Sequence, residues 1–306
     1  MKILFHVGCG NIDRPSRWWG VCVHFSNLAR AFEALGHNCV LQVHPQAVSD
    51  NIFHRFELSE VAKDSQCNPD VVFTWNGISP GDKATLALYP DAIKVYGELG
   101  FFDHYSTCYF DFSGTNCKSQ NLIDRITAHD YSKNEFGDLI RKFSKPQLFE
   151  GRYVFVALQD ELDTQITKYS PFKTMDEVMQ YASDITQCHG DDIKILYKQH
   201  PMAPSNITVK DSRFIEVKED VHHYLEDAEL VIGCNSSVLF ETLLYHNRVL
   251  TLGLGLSSRL VDDESRKWYV HHCYRKQINQ AHLGDPEYIK NTWFYNELME
   301  KHNAHT

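Results

Sequence analysis

The chain has nine cysteines but no C-x-x-C pair, and no apolar run approaches the length of a membrane span. An odd count fits no complete set of intrachain disulfides, so the cysteines read as reduced, mostly buried small hydrophobes. With no spanning run, and no signal-peptide layout in Met1-Lys-Ile-Leu-Phe-His-Val7, the expected compartment is the cytoplasm. Basic excess is missing too. A formal charge of −10 excludes the broad basic face that nucleic acids require, though not a local basic cleft for one phosphate. His222-His223 and His271-His272 lack a third ligand at a useful spacing, and no metal site is expected. Gly8-Cys9-Gly10 does not complete a G-x-G-x-x-G, so dinucleotide binding is unsupported. Neither an internal repeat nor a low-complexity tract is present.

What is present is an α/β pattern, written twice. The 306 residues are 43% hydrophobic, enough for two cores. Residues 2–7 read as a strand, and Phe25, Leu28, Ala29, Phe32 and Leu35 as one face of a helix that Gly36 ends. Cys39 to Val43 is a second strand, completing a Rossmann-like β-α-β opening. Trp18 and Trp19 stand between loop and helix, where packing and stacking on a sugar ring are equally good readings. Val71–Trp75 and Ala92–Tyr96 are further strands, the latter leading into Gly97-Glu98-Leu99-Gly100, where Glu98 has the place of a cleft carboxylate. A linker follows at Phe143 to Gly151. The second half opens on Tyr153 to Leu158, a continuous apolar run typical of a central parallel strand. It runs into Gln159 and the acids Asp160, Glu161 and Asp163, any of which can face a cleft.

Two later stretches carry the chemistry. Ile193 to Lys198 alternates as a strand and is stopped by His200-Pro201, because proline cannot continue a central strand. That leaves Lys198 and His200 at a strand's C-terminal end, where open α/β sheets bind ligands. Leu230 to Ile232 is a short buried strand, and Asn235, Ser236 and Ser237 then supply helix-capping residue types. A helix start of this kind presents unpaired N–H groups that favour an anion. A cationic pair and a serine-capped helix at two strand ends together suggest a phosphate clamp.

Taken in order, Tyr153-Val-Phe-Val-Ala-Leu-Gln159, Asp163-Thr-Gln-Ile166, Tyr197-Lys-Gln-His-Pro201 and Cys234-Asn-Ser-Ser-Val-Leu-Phe-Glu-Thr-Leu-Leu244 resemble the bacterial capsule polysaccharide biosynthesis family. That family includes β-Kdo transferases that use CMP-Kdo, and it is more distantly similar to bacterial sialyltransferases. The resemblance covers most of residues 92–253. It departs at Leu162, where relatives often carry an acid, and at Leu254-Gly-Leu-Ser-Ser258. It implies a GT-B-like fold of two Rossmann-like domains with an interdomain cleft. The expected domains are an acceptor-side domain at 1–145, a CMP-sugar domain at 151–275, and terminal helices at 276–306 packing back on the first.

The resemblance also implies roles. Lys198 and His200 would contact the donor phosphate or the sugar carboxylate, Ser236 and Ser237 the CMP phosphate, and Glu241 the ribose. Gln159 and Asn235 would complete the donor site. Asp163 would stand at the anomeric carbon and Glu98 would be the acid/base, giving retention by double displacement. A single phosphate can be neutralised by protein cations and a helix start. A diphosphate donor more often wants a metal and a D-x-D pair, so no metal cofactor is expected. The implied partners are a CMP-sugar and a glycan or glycolipid acceptor, with the enzyme at most peripheral on the inner membrane's cytoplasmic face or in a polysaccharide assembly complex. The competing functions are a sialyltransferase-like or CDP-glycerol-type transferase, a UDP-sugar epimerase, and a catalytically silent nucleotide-binding subunit.

Overall fold

The computed structural model describes residues 1–8, 15–43, 61–62, 68–119, 131–190, 192–258 and 262–305. Cys9, Gly10 and the side chains of Trp18 and Trp19 lie outside the described residues. In chain order the elements are β1 (Lys2–Val7), α1 (Pro15–Ala34), β2 (Asn38–Val43), β3 (Val61–Ala62), β4 (Val71–Trp75), α2 (Pro80–Leu88), β5 (Ile93–Leu99) and β6 (Thr107–Asp111). Then come α3 (Lys133–Phe143), β7 (Tyr153–Ala157), α4 (Thr164–Tyr169), α5 (Met175–Thr186), β8 (Lys194–Lys198), β9 (Phe214–Glu216), β10 (Leu230–Gly233) and α6 (Ser237–Thr242). The last are β11 (Val249–Thr251), α7 (Asp263–Lys276), β12 (Ile278–Asn279), α8 (Pro286–Lys290) and α9 (Trp293–His305).

The chain divides into two units, Met1–Arg125 with Arg275–Thr306, and Ile126–Tyr274. In the first, the strand order is β12-β6-β5-β4-β1-β2-β3. Strands β3, β2, β1, β4 and β5 run parallel, while β6 is antiparallel to β5 and to β12. The parallel part is the Rossmann order 3-2-1-4-5. Helix α1 buries Phe25, Leu28, Ala29 and Phe32 completely, at 0% exposure. It ends because Gly36 adopts φ 85°, which lets its N–H reach the Glu33 carbonyl at 2.9 Å and the His37 N–H reach Phe32 at 3.1 Å. The core is aromatic: Phe5 stacks on Phe73 at 4.6 Å, and Phe294 of α9 lies 4.8 Å from Phe110.

Two assignments differ from the sequence reading. Strand β5 does not stop at Tyr96 but runs to Leu99, so Glu98 is a strand residue, paired in register with Tyr109 of β6. Helix α3, placed by sequence in the first domain, belongs to the second unit. Its Phe143 packs 5.0 Å from the His222 ring, and its Glu135 accepts from His271 Nε2 at 2.8 Å. No helix among the described residues is long and apolar enough to cross a membrane.

One buried acid in the first unit gives a stability prediction. Asp82 forms a capping box with Ser79 at the start of α2 and is 2% exposed, with His6 Nε2 at 3.8 Å. Burial pushes its carboxyl up to about 6, against the opposing pull of the Ser79 hydrogen bonds. The folded chain therefore holds this proton to a higher pH than the unfolded chain does. Stability from this group is fully present below about pH 4 and is lost as pH rises through about 6. The elevation corresponds to at most roughly 3 kcal/mol. Asp82→Asn keeps a side-chain acceptor for Ser79 and removes the titration. Urea unfolding at pH 4.5 and pH 7 is expected to show a smaller stability loss across this interval for the variant than for wild type. Equal losses would contradict the assignment.

Candidate active site

The second unit repeats the strand order of the first unit's parallel strands. Its strand order is β11-β10-β7-β8-β9, all parallel. From β7 the chain moves outward through β8 and β9, then returns to the opposite side for β10 and β11. The topological switch point therefore lies between the C-terminal ends of β7 and β10, where open α/β sheets form a ligand crevice. Ala157 is in register with both Gly233 and Lys198. Gln159, Asn235 and His200, each two residues beyond its strand's registered residue, thus leave the sheet at one level. Strands β8 and β10 are not neighbours, because β7 separates them; the two halves of the expected clamp stand two strand spacings apart, roughly 10 Å.

The switch point is closed by side chains from both loops. Gln159, 8% exposed, accepts from the Asn235 N–H through Oε1 at 2.8 Å, and the Asn235 amide donates to the Gln165 carbonyl at 2.8 Å. Ser236 is the N-cap of α6 and accepts from the Val238 N–H at 3.3 Å, which leaves its own hydroxyl proton to donate. Ser237 is the first helical residue, and its N–H has no intrahelical acceptor. Both serines are half-buried. Helix α6 has six residues, so its macrodipole is modest, and anion affinity here rests on these donors and on nearby cations.

The three acids after β7 differ in position. Asp160 is 3% exposed, and its Oδ1 accepts from the Leu162 N–H at 3.1 Å. Glu161 reaches the first N–H of α5, at Met175, at 2.7 Å. Asp163 is half-buried and caps α4, accepting from the Gln165 N–H at 2.8 Å.

At the end of β8, His200 Nδ1 accepts from the Met202 N–H at 3.3 Å, which puts the ring proton on Nε2. Lys198 Nζ donates to the Glu219 carbonyl, so part of its donor capacity ties down the loop after β9. Glu241 is 8% exposed and engaged inside the unit, with its Oε2 3.4 Å from His222 Nε2. His222 Nδ1 meets the Tyr245 hydroxyl at 2.9 Å, making a part-buried Tyr-His-Glu chain. In the sequence His222 stands only in a His-His pair, which gives no local sign of its contact with Glu241. Glu98 belongs to the other unit, at the C-terminal end of β5, where its Oε1 accepts from the Leu99 N–H at 2.9 Å. The second unit thus gathers Gln159, Asp163, Lys198, His200, Asn235, Ser236 and Ser237 along one sheet edge, while Glu241 sits one helical turn inward. Among the described residues, no group of three or more His, Cys, Asp or Glu is arranged to hold a metal ion.

No family model matches the chain, and no curated protein matches its sequence. Solved structures do match. The β-Kdo 2,7 transferase of Thermosulfurimonas dismutans KpsC superposes with a TM-score of 0.57 at 15% identity, over 90% of this chain and 92% of that one. The β-Kdo 2,4 transferase of the same KpsC gives 0.50 at 13% identity, over 87% and 89%. At these identities the likeness is one of fold.

Proposed function

We propose that the protein is a glycosyltransferase that moves Kdo from CMP-Kdo to a surface-polysaccharide or glycolipid acceptor. The observation that carries this is the convergence of the Gln159, His200 and Asn235-Ser236-Ser237 loops on the C-terminal edge of one parallel sheet, around its switch point. The fold likeness to the KpsC β-Kdo transferases supports the same reading.

In this mechanism the CMP phosphate lies against the Ser236 hydroxyl, the Ser237 hydroxyl and N–H, and His200 Nε2. Lys198 adds positive charge beside them. These donors stabilise the charge that develops as the bond from anomeric carbon to phosphate oxygen breaks. The Asp163 carboxylate attacks that carbon and CMP leaves, giving a glycosyl ester. The acceptor hydroxyl then attacks the same carbon, displacing Asp163 and losing its proton to a general base, so two inversions give net retention. Glu241, held by His222, is assigned to the ribose, and Gln159 frames the donor site.

A clamp for one phosphate has two consequences. Calorimetric titration is expected to show CMP binding at least about tenfold more tightly than UDP, a difference of roughly 1.4 kcal/mol. Release of nucleotide from a panel of CMP-, CDP- and UDP-activated donors identifies the donor directly. Activity is expected to persist in excess EDTA. Equal or tighter UDP binding, or EDTA inactivation reversed by Mg²⁺ or Mn²⁺, would move the protein to diphosphate-donor chemistry.

A further inference from the structure

The helix capped by Asp163 is too short to hold its own position. Helix α4 has six residues, fewer than an isolated helix needs to persist in water. Its place is fixed from outside, by burial of Ile166 in the core and by the loops after β10 and β11. The Asn235 amide donates to the Gln165 carbonyl at 2.8 Å, Ser170 Oγ lies 3.3 Å from Cys234 Sγ, and the Leu254 N–H donates to the Tyr169 carbonyl at 2.9 Å. Asn235 is the crossing point, since its backbone N–H is also bound by Gln159 from the end of β7.

Two further facts concern how this crossing is built. Asn235 Oδ1 and Gln165 Oε1 are both buried and have no hydrogen-bond partner among the described residues. What Asn235 contributes to the crossing comes through its two donors, the backbone N–H to Gln159 and the amide N–H to Gln165. Gly253, two residues past β11, leaves the space the amide occupies. A Cβ there would stand 2.3 Å from Asn235 Oδ1, 2.9 Å from its Cγ and 3.0 Å from its Nδ2.

We infer that Asn235 and Gly253 form a positioning clip that fixes the Asp163-bearing helix against the Ser236-Ser237 loop. Its work is to hold the nucleophile at a set distance from the leaving-group phosphate. Asn235 is then a positioning residue and not a donor ligand. This rests on the roles proposed above for Asp163 and the serines, but the clip itself can be tested without them.

The test uses the full chain with Asn235→Ala, Asn235→Asp, Gly253→Ala and the double variant Asn235→Ala/Gly253→Ala. Asn235→Asp keeps the shape and loses the N–H donor. Hydrogen exchange followed by mass spectrometry on peptides covering α4 is compared with peptides from β7 and β8. All three single variants are expected to lose α4 protection selectively, while β7 and β8 keep theirs. Gly253→Ala is expected to add nothing in the Asn235→Ala background, because the clashing amide is already gone. Turnover of CMP-Kdo is expected to fall roughly ten- to a hundredfold, as a small misplacement of a reacting group would produce, with CMP affinity by calorimetry unchanged. Unchanged α4 protection would overturn the clip. Lost CMP affinity in Asn235→Ala with α4 still protected would instead make Asn235 a donor ligand. Loosened α4 with undiminished turnover would overturn the positioning role. If wild type binds no CMP while the exchange pattern follows expectation, the clip stands and the transferase function fails.

Discussion

Replacing Ser236 and Ser237 together with alanine is expected to lower transfer about a hundredfold, the usual cost of removing a preorganised donor to developing charge. His200→Ala is expected to cost about as much, because in the proposed clamp its Nε2–H would be the donor on the opposite side of β7. Ser236 also caps α6, so part of any loss in the double variant could come from fraying, at about 1 kcal/mol. Two controls separate the effects. Ser237→Ala removes a hydroxyl that is not the cap and should reduce turnover with no change in unfolding midpoint. Ser236→Asp restores the cap but sets a negative charge against the phosphate, so a stable and inactive protein is expected. Near wild-type turnover in the double variant would reduce both serines to an ordinary helix start.

The parts of this site that were legible in the sequence are those written locally. Continuous apolar runs marked β7 and β10, Pro201 marked the exit from β8, and Asn235-Ser-Ser237 marked the start of α6. Local pattern does not say which strands are neighbours. The placement of β7 between β8 and β10, which creates the switch point, comes from pairing across about forty to eighty residues of chain. Non-local pairing also explains the extension of β5 to Leu99. Residues Tyr96 to Leu99 are held as strand by β6, which has no local cue preceding it. Glu241 illustrates a different blind spot. On a helical wheel it is a polar residue one turn beyond Ser237, and only the fold reveals His222 and Tyr245 around it. Gly253 likewise looks like a generic loop glycine until the Asn235 amide is seen against it.

Asp163 carries the largest expected effect, and its structural role shapes the experiment. It is the N-cap of α4, and asparagine caps a helix about as well as aspartate. Asp163→Asn therefore removes the charge and nucleophilicity while keeping the hydrogen bond to the Gln165 N–H. The fold and CMP binding should survive, with transfer reduced by roughly four orders of magnitude, as for loss of a covalent nucleophile. Asp163→Ala should be equally inactive but less stable by about 1 kcal/mol, because the cap is lost as well. That difference in stability with no difference in activity identifies the carboxylate, and not the cap, as the catalytic element. The neighbouring acids are poor substitutes: Asp160 is 3% exposed, and Glu161 is tied to the start of α5. Wild type incubated with CMP-Kdo and no acceptor should gain one sugar mass on the peptide containing Asp163, and Asp163→Asn should gain none. An adduct on Asp160 or Glu161 would keep double displacement and move the nucleophile. An inverted product by NMR, with no adduct on any of the three, would replace double displacement by a single direct attack and leave Asp163 at most a general base.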